Sequence, residues 1–155
     1  MSKIVQQLVA LSEEHLEAGE GVVAGVRVNQ KGASRAAAGG AVGGLLGAAV
    51  AHKMTKGGRE AQAAAGFPPN AQLAFALTDR RLLVFDRGAM SGRPKRFLTS
   101  MPLSDIVSVR YEPAKLVPRI HLGLASGAEV GFEAVRLDDP EHFAAALDAA
   151  LAPAT

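Results

Sequence analysis

The chain has 155 residues and a mass of 16.0 kDa, which suits one domain with one sizeable core. It contains no cysteine, which excludes disulfides, thiolate metal sites and cysteine nucleophiles and suits the reducing cytoplasm. The net charge of +2 is unevenly spread, because residues 1–20 carry −3, residues 21–120 carry +10 and residues 121–155 carry −5. A basic middle between acidic ends predicts either an anionic partner or pairing of the ends with the middle.

Apolar residues recur at helical spacing near the N-terminus, and their positions are Ile4, Val5, Leu8, Leu11 and Leu16. This spacing predicts an amphipathic helix over residues 2–17, within an N-terminal unit of residues 1–18, and Gly19 ends it. The stretch lacks the uninterrupted apolar run of a secretory signal, so we expect it to stay on the mature protein. The valine-rich residues 21–29 then predict a first strand.

An uncharged, glycine-rich segment follows, and residues 36–51 read AAAGGAVGGLLGAAVA. Glycines recur at every fourth position, and they are Gly39, Gly43 and Gly47. Because glycine disfavours a helix in water, this spacing indicates a helix that lets another backbone come close, a glycine zipper. Basic residues that suit anionic lipid headgroups follow it, and they are Lys53, Lys56 and Arg59.

Residues 31–70 thus form a helical insertion, for which three states stay open: a helix in the membrane interface, a helix packed on another helix, and a disordered linker. In the first state the side chains that enter the lipid are Leu45, Leu46 and Val50. A hairpin that crosses the bilayer twice is disfavoured, because it would bury Lys56, Arg59 and Glu60. A central Lys or Arg costs about 2.5 to 3.5 kcal/mol there.

From Ala71 the apolar pattern changes to period two, which predicts half-buried antiparallel strands. The runs cover residues 73–77, 82–85, 96–101, 103–111, 119–124 and 128–133. A polar turn joins the first two runs, and we expect an Asx-type bond from Asp79 in it. In the fourth run Val107, Val109 and Tyr111 are expected to share one face.

Asp138 or Asp139 then caps a C-terminal helix that has Pro140 at its first position. The apolar stripe of this helix consists of Phe143, Leu147 and Leu151, and residues 152–155 form a disordered tail. Seven strands followed by one helix predict a mainly β (α+β) fold. In it, two orthogonal antiparallel sheets form an open barrel that the C-terminal helix caps.

Residues 73–86, LAFALTDRRLLVFD, resemble bacterial pleckstrin-homology-like (PH/GRAM-like) domains, in which a strand, a T-[DN]-R-R turn and an apolar strand recur. The pair Gly19-Glu20 before the first strand is similar as well. The resemblance covers about residues 19–151, interrupted by the insertion. It implies a non-enzymatic module that binds membranes, lipids or peptides.

No catalytic or metal-binding constellation accompanies this resemblance. The histidines are isolated from one another in sequence, and they are His15, His52, His121 and His142. The zipper lacks the Gly-Lys-Ser/Thr ending of a phosphate-binding loop. We therefore predict no enzyme, no metal and no cofactor. Nucleic acid is not expected as a partner either, because no aromatic residue stands among the basic runs.

Two functional hypotheses remain. In the first, the module lies at the inner face of the plasma membrane, where the zipper flanks and a basic barrel rim meet anionic lipid. The rim residues are Arg87, Arg93, Lys95 and Arg96, with Arg80 and Arg81 gathered beside them. The plain alternative for this rim is a solvated edge that discourages strand addition. In the second hypothesis, the zipper glycines pair helices within a homo-oligomer or with another protein.

Overall fold

The computed structural model describes residues 2–30, 60–88 and 90–152. The zipper glycines, the apolar residues beside them and the basic residues predicted at 53, 56 and 59 lie outside the described residues. Two of the described helices are α1 (Lys3–Ser12) and α2 (Pro140–Leu151). The strands are β1 (Val22–Gln30), β2 (Gln72–Thr78), β3 (Arg81–Arg87), β4 (Pro94–Pro102), β5 (Ile106–Glu112), β6 (Arg119–Leu124) and β7 (Glu129–Ala134).

The seven strands form one antiparallel sheet in the order β4-β3-β2-β1-β7-β6-β5. Strand β1 joins the two halves of this sheet. It pairs with β2 from Val22 to Asn29 and with β7 from Val28 to Gln30. Strands β4 and β5 are the two edges, and the sheet closes around one apolar core as an open barrel. The predicted fold class is therefore confirmed.

Four phenylalanines occupy the centre of the barrel core. The ring centroids of Phe75 and Phe132 are 5.0 Å apart, and those of Phe67 and Phe132 are 5.2 Å apart. Phe143 reaches the same cluster from α2, where Leu147 is fully buried. Asp139 caps α2 by accepting a hydrogen bond from the His142 amide at 3.3 Å. The predicted cap and apolar stripe of this helix are confirmed.

Residues 60–67 lie shortly before β2 in the chain, and their contacts attach this stretch to the barrel. Residues 60–64 are helical. Gln62 is buried, and its side-chain amide donates to the Pro68 carbonyl at 2.8 Å and to the Asn70 carbonyl at 3.1 Å. Together with Phe67, these contacts place part of the predicted 31–70 insertion inside the barrel core.

Helix α1 covers the outer face of the strands near β1 and forms a second apolar cluster there. Its buried members are Ile4, Leu8, Ala74, Ala76, Leu83 and Phe85. The helix packs closely because β1 has Gly25 beneath it. A β-carbon at position 25 would lie 2.5 Å from Leu8 Cδ1. The α-helix is shorter than predicted, since a 3₁₀ turn (Glu13–His15) follows it, and Gly19 turns the chain with φ of +79°.

The prediction for β5 was wrong at one residue. Ile106 pairs with Leu124 and Ser108 pairs with Gly123, so Val107 is an extra residue in a β-bulge. The bulge shifts the alternation, which leaves the Val107 side chain 62% exposed. Val109 and Tyr111 stay packed against the core.

Candidate functional site

The Gly19-Glu20 pair and the T-D-R-R turn meet in one buried network. The Glu20 carboxylate is fully buried and accepts two hydrogen bonds from Arg81, one from Nε at 3.0 Å and one from Nη2 at 2.9 Å. The Thr78 hydroxyl donates to the same carboxylate at 2.7 Å. These bonds, chiefly those from Arg81, lower the pKa of Glu20 to about 2. Arg81 also donates to the His15 carbonyl, which fixes the end of the helical N-terminal segment.

The turn between β2 and β3 corrects two expectations from the sequence. Thr78, and not Asp79, supplies the side-chain acceptor of the turn: its hydroxyl oxygen accepts from the amides of Arg80 and Arg81 at 3.1 Å and 3.0 Å. The Arg80 side chain pairs with Glu17 at 3.0 Å. Arg80 directly precedes β3 and Arg81 begins it, whereas Arg87 lies at its end, so Arg80 and Arg81 do not join the basic rim.

A second carboxylate fixes Arg27, which stands on the outward side of β1. Asp138 Oδ2 accepts from the Arg27 backbone amide at 2.9 Å and from Nε at 2.8 Å, and Oδ1 accepts from Nη2 at 2.9 Å. The hydrogen bonds that Arg27 donates to the Asp138 carboxylate raise the pKa of Arg27. Glu17, Glu20 and Asp138 thus confirm that the acidic ends pair with the basic middle of the chain.

Arg87, which the sequence placed in the anion-binding rim, holds the loop between β3 and β4 (the β3–β4 loop). Its Nη1 donates to the Val28 carbonyl at 3.0 Å and to Asn29 Oδ1 at 2.9 Å, and its Nε donates to the Gly92 carbonyl at 3.0 Å. These acceptors are neutral. Burial first, and then the positive charge of Arg27, lower the pKa of Arg87.

The other predicted rim residues are accessible to solvent. Arg93 and Lys95 are exposed, and the Arg96 side chain is 71% exposed. Arg96 Nη2 lies 3.7 Å from Asp86 Oδ2. Strand β4 pairs Pro94 with Arg87 and Arg96 with Asp86, so Lys95 is an extra residue in a bulge. The bulge leaves two consecutive basic side chains exposed at the start of β4.

The insertion leaves and re-enters the barrel beside these basic residues. The Gln30 amide donates to the Ala71 carbonyl at 2.8 Å, so the last described residue before the zipper adjoins the start of β2. Asn70 donates to Asp86, the partner of Arg96, at 3.1 Å. Both borders of the insertion therefore lie at the same end of the barrel as the β3–β4 loop.

A surface groove of about 380 Å³, here called the outer groove, lies between the start of α1, the β3–β4 loop and the 3₁₀ turn before α2. Its lining includes Lys3, Gln7, Arg27, Arg93, Leu137 and Asp138. Of these, only Arg93 was a predicted site residue. The one sequence signal for Arg27 is its place in a valine strand, where Val26 and Val28 point inward and Arg27 must point outward.

Within the described residues, no helix is long and apolar enough to span a bilayer. The same part of the chain holds no group of three or more histidine, aspartate or glutamate side chains placed to bind a metal ion.

The chain is similar to the crystal structure of a pleckstrin homology domain from Shewanella amazonensis SB2B. The two share 14% sequence identity and superpose with a TM-score of 0.54 over 99% of this chain and 93% of that one. No model of a known protein family matches the sequence, and no curated protein does. The structural likeness confirms the resemblance at the level of the fold, and this chain has a PH-like fold.

Proposed function

We propose that the chain is a non-enzymatic binding module that attaches to an anionic membrane surface from the cytoplasmic side. The basic residues around the β3–β4 loop and the flanks of the glycine zipper would meet lipid headgroups together. They are Arg93, Lys95, Arg96, Lys53, Lys56 and Arg59. Arg87 would support the loop from behind.

One observation carries this proposal: both borders of the insertion and the exposed basic residues lie at one end of the barrel. Each Lys or Arg near an anionic surface contributes about 1 kcal/mol of attraction. Apolar side chains of the insertion would add burial in the interface, and these are Leu45, Leu46 and Val50. Several of these contributions, from electrostatic attraction and from apolar burial, together suffice for reversible attachment.

Co-sedimentation with vesicles tests the proposal. We expect the full chain to pellet with phosphatidylglycerol mixed into phosphatidylcholine, and to stay in solution with phosphatidylcholine alone. Binding should be lost at about 1 M salt, where the Debye length is about 3 Å. The double variant Lys95→Glu/Arg96→Glu should lose most of the pelleted fraction.

A matched control carries the same change of charge elsewhere. Arg110 and Lys115 are exposed on and just after β5, in the other half of the sheet. The variant Arg110→Glu/Lys115→Glu should pellet like the wild type. Equal loss in both double variants would show that only net charge matters. No pelleting of the wild type at low salt would overturn membrane attachment.

The second candidate function is assembly through the zipper, which the four-residue glycine spacing favours. Light scattering of the wild type, Gly43→Leu and the control Ala41→Leu tests it. An oligomer that Gly43→Leu alone dissociates would support assembly. A mass that is the same in all three proteins would remove the zipper as an oligomer contact.

A further inference from the structure

We propose that the outer groove binds a phosphate monoester. This inference does not rest on membrane attachment, and the groove lies on the outer side of β1 beside α1. Its charged lining consists of Lys3, Arg27, Arg93 and Asp138, which gives a net charge of +2. A phosphate monoester at neutral pH has a charge between about −1.5 and −2, because its second pKa is about 6.

The groove has one carboxylate, that of Asp138, and its repulsion of an anionic ligand is weakened. Both oxygens of Asp138 accept hydrogen bonds from Arg27, so its charge is locally neutralised. Lys3 and Arg93, by contrast, form no ion pair with any carboxylate in the described ranges. Their positive charges face solvent, where an anion can reach them.

The Arg27 guanidinium is held in a geometry that suits anion binding. Its Nε and Nη2 are fixed by Asp138, and its side chain is 25% exposed. Its Nη1 makes no hydrogen bond to the described part of the chain, so both Nη1 N–H donors remain, beside the second N–H of Nη2, on a guanidinium that is already held in place. Ordering this group on binding would cost little, because Asp138 has already ordered it.

Arg87 adds positive charge behind the groove. It is close enough to Arg27 for the charge of Arg27 to lower its pKa, and its acceptors are all neutral. Among the residues that the structure describes, Arg27 forms an ion pair with Asp138, whereas the Arg87 guanidinium forms none. An additional anion in the groove would reduce the repulsion between the two guanidinium groups.

The size of the groove and one apolar side chain indicate more than a bare phosphate. Liquid water occupies about 30 Å³ per molecule, so a groove of about 380 Å³ has room for a phosphate and an organic group. Leu137 lines the groove and is 90% exposed. An organic group of the ester would contact this side chain.

A titration followed by amide chemical shifts tests the inference. The full chain is titrated with glycerol phosphate and, separately, with inorganic phosphate, at constant ionic strength. We expect saturable shifts at Arg27, Ser91 and Leu137, and none at Gly131 on the other half of the sheet. Arg93→Gln should weaken binding about tenfold, the effect of one charge-assisted hydrogen bond. Lys95→Gln removes the same charge two residues away, outside the groove lining, and should bind like the wild type.

Non-saturating shifts, or shifts spread evenly over the basic surface, would overturn the inference, as would equal weakening by Arg93→Gln and Lys95→Gln. Vesicles identify the source of the ester. Phosphatidic acid has a phosphate monoester headgroup and phosphatidylglycerol a diester. If the chain binds phosphatidic acid more tightly than phosphatidylglycerol at matched surface charge, and this binding depends on Arg93, the ligand is a lipid monoester. If only glycerol phosphate binds in the groove, the ligand is a soluble monoester.

The two proposals fail separately. A groove that binds phosphate in a protein that ignores all vesicles would sustain this inference and overturn membrane attachment. A protein that pellets with phosphatidylglycerol but shows no saturable groove shifts would sustain attachment and overturn this inference.

Discussion

Strand β3 begins with Arg81 and ends with Arg87, and the surroundings of these two arginines differ in kind. Arg81 donates two hydrogen bonds to the buried carboxylate of Glu20, so its charge is neutralised inside the fold. Arg87 donates to neutral oxygens and has further cations near it. The difference separates an arginine whose charge a carboxylate balances inside the fold from one whose side-chain hydrogen bonds leave its charge unbalanced.

The largest expected effect is at the Arg81 end. Removing one member of a buried ion pair costs about 3 to 5 kcal/mol, because the other charge stays buried without its partner. We therefore expect Arg81→Met to lose that much free energy of unfolding in urea at neutral pH. The matched variant Arg87→Met loses only bonds to neutral acceptors, at about 1.5 to 3 kcal/mol. A greater loss for Arg87→Met would contradict the comparison.

Low pH should reduce the stability that the Glu20–Arg81 pair contributes at the same end of β3. The pKa of Glu20 falls from its ordinary 4.5 to about 2 on folding, so its contribution to stability is complete above about pH 4.5. It is lost as the pH falls toward about 2, where the folded state takes up the proton. Urea midpoints measured over this range should fall in the wild type and change less in Glu20→Gln. Parallel curves would show that Glu20 does not carry the effect.

A smaller loss is expected where α1 crosses β1. Gly25→Ala would place a β-carbon 2.5 Å from Leu8 Cδ1, and Leu8 is fully buried. Overpacking of this kind costs about 1 to 3 kcal/mol. Gly21→Ala is the control, because nothing lies within 4 Å of a β-carbon there. Urea unfolding should separate the two variants, and equal stability would mean that α1 is not tightly docked.

The smallest effect on stability is expected at the loop end. Arg93→Gln and Lys95→Gln change exposed side chains without an ion pair in the described part of the chain, so their free energies of unfolding should stay within about 0.5 kcal/mol of the wild type. Urea unfolding checks this expectation. A loss as large as that of Arg81→Met would show that the loop cations are structural.

The fold could be predicted well from the sequence because local patterns carry it. Period-two runs gave the later strands, and an i, i+4 stripe with Pro140 gave α2. The bulge at Val107 could not be predicted, because it depends on the register with Gly123 across the sheet. The burial of Phe67 in the core could not be predicted either, because its segment resembles an insertion. A single aromatic residue among alanines shows no periodicity that would indicate a buried position.

The site could be predicted only in part, because charge counts do not show which cations are paired. Arg80 and Arg93 look alike in sequence, yet Arg80 contacts Glu17, 63 residues away. The outer groove combines Lys3, Arg27 and Arg93 from three separate stretches, and no local spacing links them. Thr78 replaced Asp79 in the turn because its hydroxyl can accept from two amides and donate to Glu20 at once.

The most direct test of the account measures stability and vesicle binding on one variant, Lys95→Glu/Arg96→Glu. We predict a urea midpoint close to that of the wild type together with the loss of most of the fraction that pellets with phosphatidylglycerol vesicles. Undiminished binding to phosphatidylglycerol vesicles by this stable variant would contradict the claim that the cations left over at the loop end of β3 bind an anionic surface.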